Sequence, residues 1–358
     1  MTLSRMSNRI RKLEQPPGAD QQGKKSACFL AENVVPPELA AALMRLAPAN
    51  PFFTKSYADF MRAVGNQAWL LGSERRGELI AGCYGFISSG YLNRNLSIPS
   101  LPDVPCDDLF WDGLMRFCSL HRITYLQLDR SAPGARIPPL PGEVERRAVC
   151  EYVLYLGDPE WERRLTQHHR RKIKRALQTG LTLHRTAGVD ACREHLRLMA
   201  ASMDRRRKRG ESIVGTVEGK LPEWILFIET GAGELFQAVA AGKVLSSVVV
   251  MRAAQGAFYE SSGTSPEGTK CGASHFLLYS IARVLREESV RTFNLANAEA
   301  PNPGLRLFKL RFGAVPVSHE AATFYFGSDL RRRLTAAARS LRQIGSAFLR
   351  RIGPGRNA

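Results

Sequence analysis

The sequence has no apolar run approaching the about 18–20 residues of a membrane span. Its basic N-terminus (MTLSRMSNRIRKLEQ) is not followed by the apolar stretch of a secretory leader. No C-x-x-C pair occurs: Cys28, Cys83, Cys106, Cys118, Cys150, Cys192 and Cys271 are scattered and odd in number. Disulfide frameworks and zinc sites need clustered ligands, so buried, reduced thiols are expected. The seven histidines show no metal-ligand spacing, and the adjacent His168 and His169 face different ways on a helix. A P-loop, a dinucleotide fingerprint and a nucleophile elbow are also missing. These absences argue against membrane-spanning, disulfide-scaffold and metal-dependent classes, and predict a soluble, cytoplasmic protein with no metal.

Acid is scarce too, with 33 Asp+Glu against 51 Lys+Arg, a formal net charge of +18. The excess is unevenly placed. Residues 1–25 carry +4, 331–358 carry +8, 160–178 carry +5 and 204–209 carry +4, which leaves the remainder slightly acidic. A near-neutral body with basic attachments is unlike a uniformly basic nucleic-acid coat, but it suits a polyanionic partner. With 358 residues, 44% of them hydrophobic, the chain is long enough for two cored domains.

Periodicity suggests an internal repeat. Helical patterns at 37–46 and 56–64 precede strand patterns at 68–72, 79–88 and 91–98. A helix at 107–120 and strands at 123–128 and 150–156 follow. After 157 the order recurs: helices at 160–178 and 191–207, strands at 235–240, 244–252 and 257–262, a helix at 272–288, and a strand at 291–295. A short helix (304–312) and a closing strand (314–326) complete it. GELIAGCYGF resembles AGKVLSSVVV, and HRITYLQLD resembles ESVRTFNLA. The expected fold class is α+β with mixed sheets, divided into a flexible basic tail (1–25), two similar domains (26–157 and 158–328) and a basic tail (329–358). Ordinary α+β alternation without duplication is the alternative.

Within that last tail, residues 329–352 place apolar side chains at steps of three and four, with arginines mostly opposite. A helix docked on the core, a helix lying on an anionic membrane surface and a clamp on nucleic acid all fit this pattern.

Polar groups gather at strand and loop ends after position 235. Tyr259, Glu260, Ser261, Ser262 and Thr264 lie on one strand, Asn294 and Asn297 close another, and Lys309 follows in NPGLRLFKLRFG. Such clusters suit substrate recognition, although turn formation and capping use the same residue types. Lys309 and Arg311 also fit the exposed face of an amphipathic helix.

The segments GK…YESSGT, ASHFLLYSIARVL, FNLAN and GLRLFKLRFG, with HHRRKIKRALQTGLTLHRT upstream, together resemble the FemAB-like branch of the GNAT acyltransferase superfamily over roughly residues 165–326. The resemblance implies tandem GNAT-type domains and transfer of an acyl or aminoacyl group to an amine acceptor. Characterised FemAB proteins use aminoacyl-tRNA on cell-envelope precursor peptides, and relatives labelled acetyltransferases are presumed to use acyl-CoA. It implies that Phe308 and Lys309 match the Phe-Lys pair at the family's transfer centre. An oxyanion forming there would be stabilised by a preorganised cation. Glu260 is the candidate general base. Tyr259, Ser261, Ser262, Thr264, Asn294 and Asn297 are candidate substrate contacts. GNAT enzymes hold the CoA pyrophosphate on an Arg/Gln-x-x-Gly-x-Gly/Ala loop. The corresponding stretch here, with Gly268, Lys270, Gly272 and Ala273 as candidate phosphate ligands, departs from that spacing. An aminoacyl-tRNA donor, peripheral contact with the inner face of the membrane through 329–352, and an inactive GNAT-derived module binding an anion are the alternatives.

Overall fold

Small, β-branched and aromatic residues form the central strands where their pattern predicts, the strands Ala27–Glu32 and Thr182–Thr186 are additional, and three of the described α-helices start at side-chain caps. The computed structural model describes residues 27–90, 93–102, 106–131, 133–211, 213, 215–298 and 303–328. The basic tails, and with them the expected helix at 329–352, lie outside the described residues. The first half runs β1 (Ala27–Glu32), α1 (Pro37–Leu46), α2 (Lys55–Ala63), β2 (Gln67–Arg75), β3 (Glu78–Ser89), β4 (Arg94–Ile98), α3 (Asp108–Leu120), β5 (Tyr125–Leu128) and β6 (Glu143–Tyr155). Thr54 and Asp107 cap α2 and α3 by accepting the Tyr57 and Phe110 amides.

The second half runs α4 (Gln167–Leu177), β7 (Thr182–Thr186), α5 (Val189–Lys208), α6 (Leu221–Glu229), β8 (Glu234–Ala240), β9 (Lys243–Arg252) and β10 (Gly256–Thr264). It continues through α7 (Pro266–Cys271), α8 (Ala273–Glu287), β11 (Thr292–Asn297), α9 (Pro303–Arg311) and β12 (Val315–Tyr325).

The twelve strands share one sheet, ordered β1-β2-β3-β4-β5-β12-β6-β11-β10-β9-β8-β7. Each half contributes a β-α-α-β-β-β-α-β-β series, into which the second half inserts α7 and α9, so the order recurs, but its helix pairing needs correction. The counterparts of α1 and α2 are α5 and α6, and α4 stands before the repeat. Helix α6 (LPEWILFIE) is apolar nearly all round, so it shows no helical alternation in sequence.

The closing strands are exchanged between the halves. Strand β6 pairs with β11, and β12 pairs with β5, while β6 and β12 pair with each other along most of their length. The expected division at 157/158 therefore follows directly after a strand that lies in the second half's part of the sheet. Separating the halves would break the central ladder.

That seam encloses a charge network. Glu151 on β6 is only 3% exposed and accepts three partners. Arg130, just past β5, pairs with Oε1; Asn294 Nδ2 donates to Oε2 at 2.7 Å; and His319 Nε2 lies 3.2 Å from Oε2. The other His319 nitrogen, Nδ1, contacts the Ser131 carbonyl at 2.9 Å. The Arg130 guanidinium also stacks between the rings of Phe52 and Phe258, 4.9 and 5.0 Å from their centroids. Burial alone would raise the Glu151 carboxyl; the bonds from His319, Arg130 and Asn294 outweigh it and hold it at about 2.

Two parallel pairs interrupt the antiparallel pattern. In the first half β4 and β5 pair from Asn95↔Tyr125 to Ile98↔Leu128, nearly their full length. In the second, β10 and β11 pair only from Gly256↔Thr292 to Phe258↔Asn294 and then diverge. Bulges between Tyr259 and Ser261 and between Asn294 and Asn297 mark the divergence.

Two stability measurements follow. A Cβ on Gly263 of β10 would lie 2.3 Å from the backbone of Leu198 and Met199, so Gly263→Ala must push α5 off the sheet. Urea unfolding is expected to show a loss of about 1–3 kcal/mol. Because the folded Glu151 carboxyl is depressed, its contribution is present above its unfolded value of 4.5 and is lost as pH falls toward about 2. That contribution is about 3 kcal/mol. Melting temperature should drop steeply across this window, and Glu151→Gln should be less stable at neutral pH with a flatter acid limb.

Candidate active site

Where β10 and β11 part, a cavity of about 820 Å³ opens, walled by the end of α5, β10, β11, α8 and α9. Helix α9 turns Lys309 inward. Its side chain is 5% exposed, which corrects the reading of this residue as part of a solvated helix face. Lys309 Nζ donates to the carbonyls of Ala296 (3.1 Å) and Asn297 (2.6 Å) and stands 5.7 Å from the Tyr152 ring centroid. An ammonium has three N–H donors; the third has no partner among the described residues. Burial lowers the Lys309 ammonium to about 8, with Glu151 and Cys150 acting the other way.

The carbonyls that hold Lys309 are presented by a kink. Ala296 adopts φ 61°, a left-handed conformation rare for a residue with a Cβ. Asn294 Oδ1 accepts the Ala296 amide at 2.8 Å while its Nδ2 is held by Glu151. Asn294 is thus bound into the seam, while Asn297 lines the cavity.

Phe308 lines the cavity beside Lys309, with its ring 5.1 Å from His169 and 5.0 Å from His275. His169 is 3% exposed. Burial, with the charges of His168, Lys172 and Arg311, lowers it to about 4 and keeps it neutral.

Glu260 occupies the β10 bulge, so the strand ladder leaves it unpaired and accessible from the cavity. The mass of protein around it raises its carboxyl, opposed by Arg130. Tyr259, Ser261 and Ser262 share the same wall. Thr264 does not reach the cavity lining: its hydroxyl bonds to those of Ser246 and Ser274, both at 2.9 Å, and its amide to Ser202.

The expected phosphate loop is a helix. Ser265 caps α7 by accepting the Gly268 amide at 2.9 Å, and Gly268 is packed against the Leu245 carbonyl. Gly272, at φ 80°, ends α7 and begins α8, and Ala273 is fully buried. Gly268, Lys270, Gly272 and Ala273 therefore lie outside the cavity wall, and Lys270 faces solvent.

Sequence reasoning missed Arg130, Glu151, Tyr152 and His195. His195 on α5 is 1% exposed and bridges the hydroxyls of Ser247 and Ser261, each at 2.9 Å; burial lowers it to about 4. Its signal was a polar residue on the apolar side of a helix. For Glu151 the signal was a lone acid inside the apolar run VCEYVLY. Among the described residues, no three His, Cys, Asp or Glu side chains gather to hold a metal, and no helix is long and apolar enough to cross a membrane. All seven cysteines are free, and three of them are buried.

Residues 163–309 match the acetyltransferase (GNAT) domain family. Among curated proteins none matches the chain in sequence. Several solved structures share its fold. FemX superposes with a TM-score of 0.65 at 12% identity, over 85% of this chain and 99% of that one. The C-terminal domain of a putative lysylphosphatidylglycerol synthetase from Agrobacterium fabrum gives 0.53 at 16% identity, over 84% and 95%. A tandem GNAT protein from the clavulanic acid biosynthesis pathway gives 0.51 at 13% identity, over 85% and 100%. Residues 163–309 thus carry a GNAT acetyltransferase domain, set in a doubled fold that the chain shares with FemX and with a tandem GNAT protein.

Proposed function

We propose that this protein transfers an acyl or aminoacyl group from a thioester or ester donor to an amine in the cavity between β10 and β11. The observation that carries the reading is Lys309, a buried ammonium fixed by two carbonyls, with one N–H unpaired among the described residues. The acceptor nitrogen attacks the donor carbonyl carbon, forming the C–N bond. Negative charge then develops on the carbonyl oxygen, where the free N–H of Lys309 stabilises it. Collapse breaks the C–S or C–O bond, and the thiol or hydroxyl leaves with a proton. Glu260, raised by its surroundings and set on a bulge, accepts the proton lost by the amine. Phe308 and the His169–His275 pair form the apolar backing of the lysine.

A polyanionic ester donor, of which aminoacyl-tRNA is the example implied by family resemblance, is the second reading. Two observations favour it over acyl-CoA. The Gly268 amide is already taken by Ser265 instead of being open to a pyrophosphate. Helix α4 also exposes Arg171, Lys172, Lys174 and Arg175 in the half that carries the cavity. Under this reading the chain works in the cytoplasm beside the membrane that holds its acceptor.

Lys309→Met is expected to lower the transfer rate about 10²–10³-fold with the fold intact by circular dichroism. The wild-type rate should fall as pH rises through about 8, as the ammonium is lost. An unchanged rate in a folded variant would remove Lys309 from the chemistry. Calorimetric titration with acetyl-CoA and with charged tRNA separates the two donors.

A further inference from the structure

The cavity belongs to the second half, yet the group that governs its lysine is tied to the first. Glu151 makes no direct bond to Lys309. Its Oε2 holds Asn294 Nδ2 at 2.7 Å, and Asn294 Oδ1 holds the Ala296 amide at 2.8 Å. The left-handed turn at Ala296 then directs the carbonyls of 296 and 297 onto Nζ. The other carboxylate oxygen is paired with Arg130, which follows β5 and is wedged between Phe52 of the first half and Phe258 of the second.

We propose that Glu151 and Asn294 are positioning residues for the Lys309 centre, and that the Arg130 pair makes their action conditional on docking of the first half. Glu151 acts in two ways. Through Asn294 it fixes the kink that presents the carbonyls. Through space its negative charge, partly offset by Arg130, sets how readily Lys309 keeps its proton. The proposal rests on the reading of Lys309 as the charged centre of the site.

The other charged and titratable groups around Lys309 are few. Cys150 and Tyr152 face it from β6. Glu260 stands on the cavity wall from β10. Arg206 and Arg209, at the end of α5, are both paired with Glu211, and Arg306 on α9 interacts with Tyr152. Behind Glu151 stand His319 and Arg130. Arg130 pairs with Glu151 and offsets its charge, so removing one or the other makes opposite predictions for Lys309.

The test needs no substrate. Lys309 is acetylated with acetic anhydride across pH 6–11, and its modification is followed by peptide mass spectrometry, which reports its titration midpoint. In the wild-type protein the midpoint is expected near 8. Glu151→Gln removes the negative charge and leaves Arg130 unopposed, so the midpoint should fall by about one unit. Arg130→Gln leaves Glu151 less neutralised, so the midpoint should rise. Glu151→Asp should restore the wild-type direction. Should one variant fail to fold by circular dichroism, the sign of the other decides. Midpoints that stay in place, or that move in the same direction in both variants, overturn the proposal. Because labelling requires no turnover, this result stands apart from whether the protein transfers acyl groups.

Discussion

A carboxylate buried in the middle of a twelve-stranded sheet is tolerated only if its neighbours supply charge and hydrogen bonds, because the desolvation cost of an unpaired ion is several kcal/mol (about 3–5 when one partner of a pair is removed). The neighbours of Glu151 come from four separate segments: Arg130 past β5, Asn294 on β11, His319 on β12, and its own strand β6. No one half supplies them. The exchange of β6 and β12 across the sheet centre is what brings these segments together. The strand swap, the satisfied carboxylate and the kink beside Lys309 are thus three aspects of one arrangement.

The duplicated halves differ, among the described residues, where the cavity of the second half opens. The short β4 stays paired with β5, and Leu101 and Asp129 continue the backbone bonding beyond the last ladder pair, through Arg130 and Ile98. The second half's longer β10 continues after pairing ends, and two bulges steer it away from β11. A second difference lies between the last two strands of each half. In the second half that link contains α9 with Phe308 and Lys309. In the first it reads ARIPPLPG, whose prolines prevent a helix, and the described residues there form none. The first half accordingly contributes packing, through Phe52, Tyr57 and Arg130, and has no counterpart of Lys309.

Much of this architecture was legible in sequence because each element repeats its own period. The small, β-branched and aromatic runs LIAGCYGFIS and VLSSVVVMR gave β3 and β9, and the apolar stripe of ASHFLLYSIARVL gave α8. The Phe308-Lys309 pair was legible only through family resemblance; by pattern alone the lysine sits where a solvated helix face would put it. The strand exchange was not legible, since β6 and β12 have local patterns that fit either half. Nor was the role of Glu151, whose partners lie 21, 143 and 168 positions away in the chain. The stretch near 270, whose spacing departs from the family's phosphate loop, folds as α7 because Ser265 and Pro266 are strong helix-start residues.

The arrangement around Lys309 bears on why the cation is not simply paired with an acid. A carboxylate in direct contact would satisfy the ammonium in the resting protein, leaving little to gain when an oxyanion forms. Carbonyl dipoles from Ala296 and Asn297 fix the ammonium in place without cancelling its charge. The nearest buried acid, Glu151, has its own charge largely taken up by Arg130. The result is a cation whose pKa burial lowers to about 8, still protonated at neutral pH and with one N–H unpaired among the described residues. Such a group suits the proposed transfer, in which negative charge appears only transiently beside it.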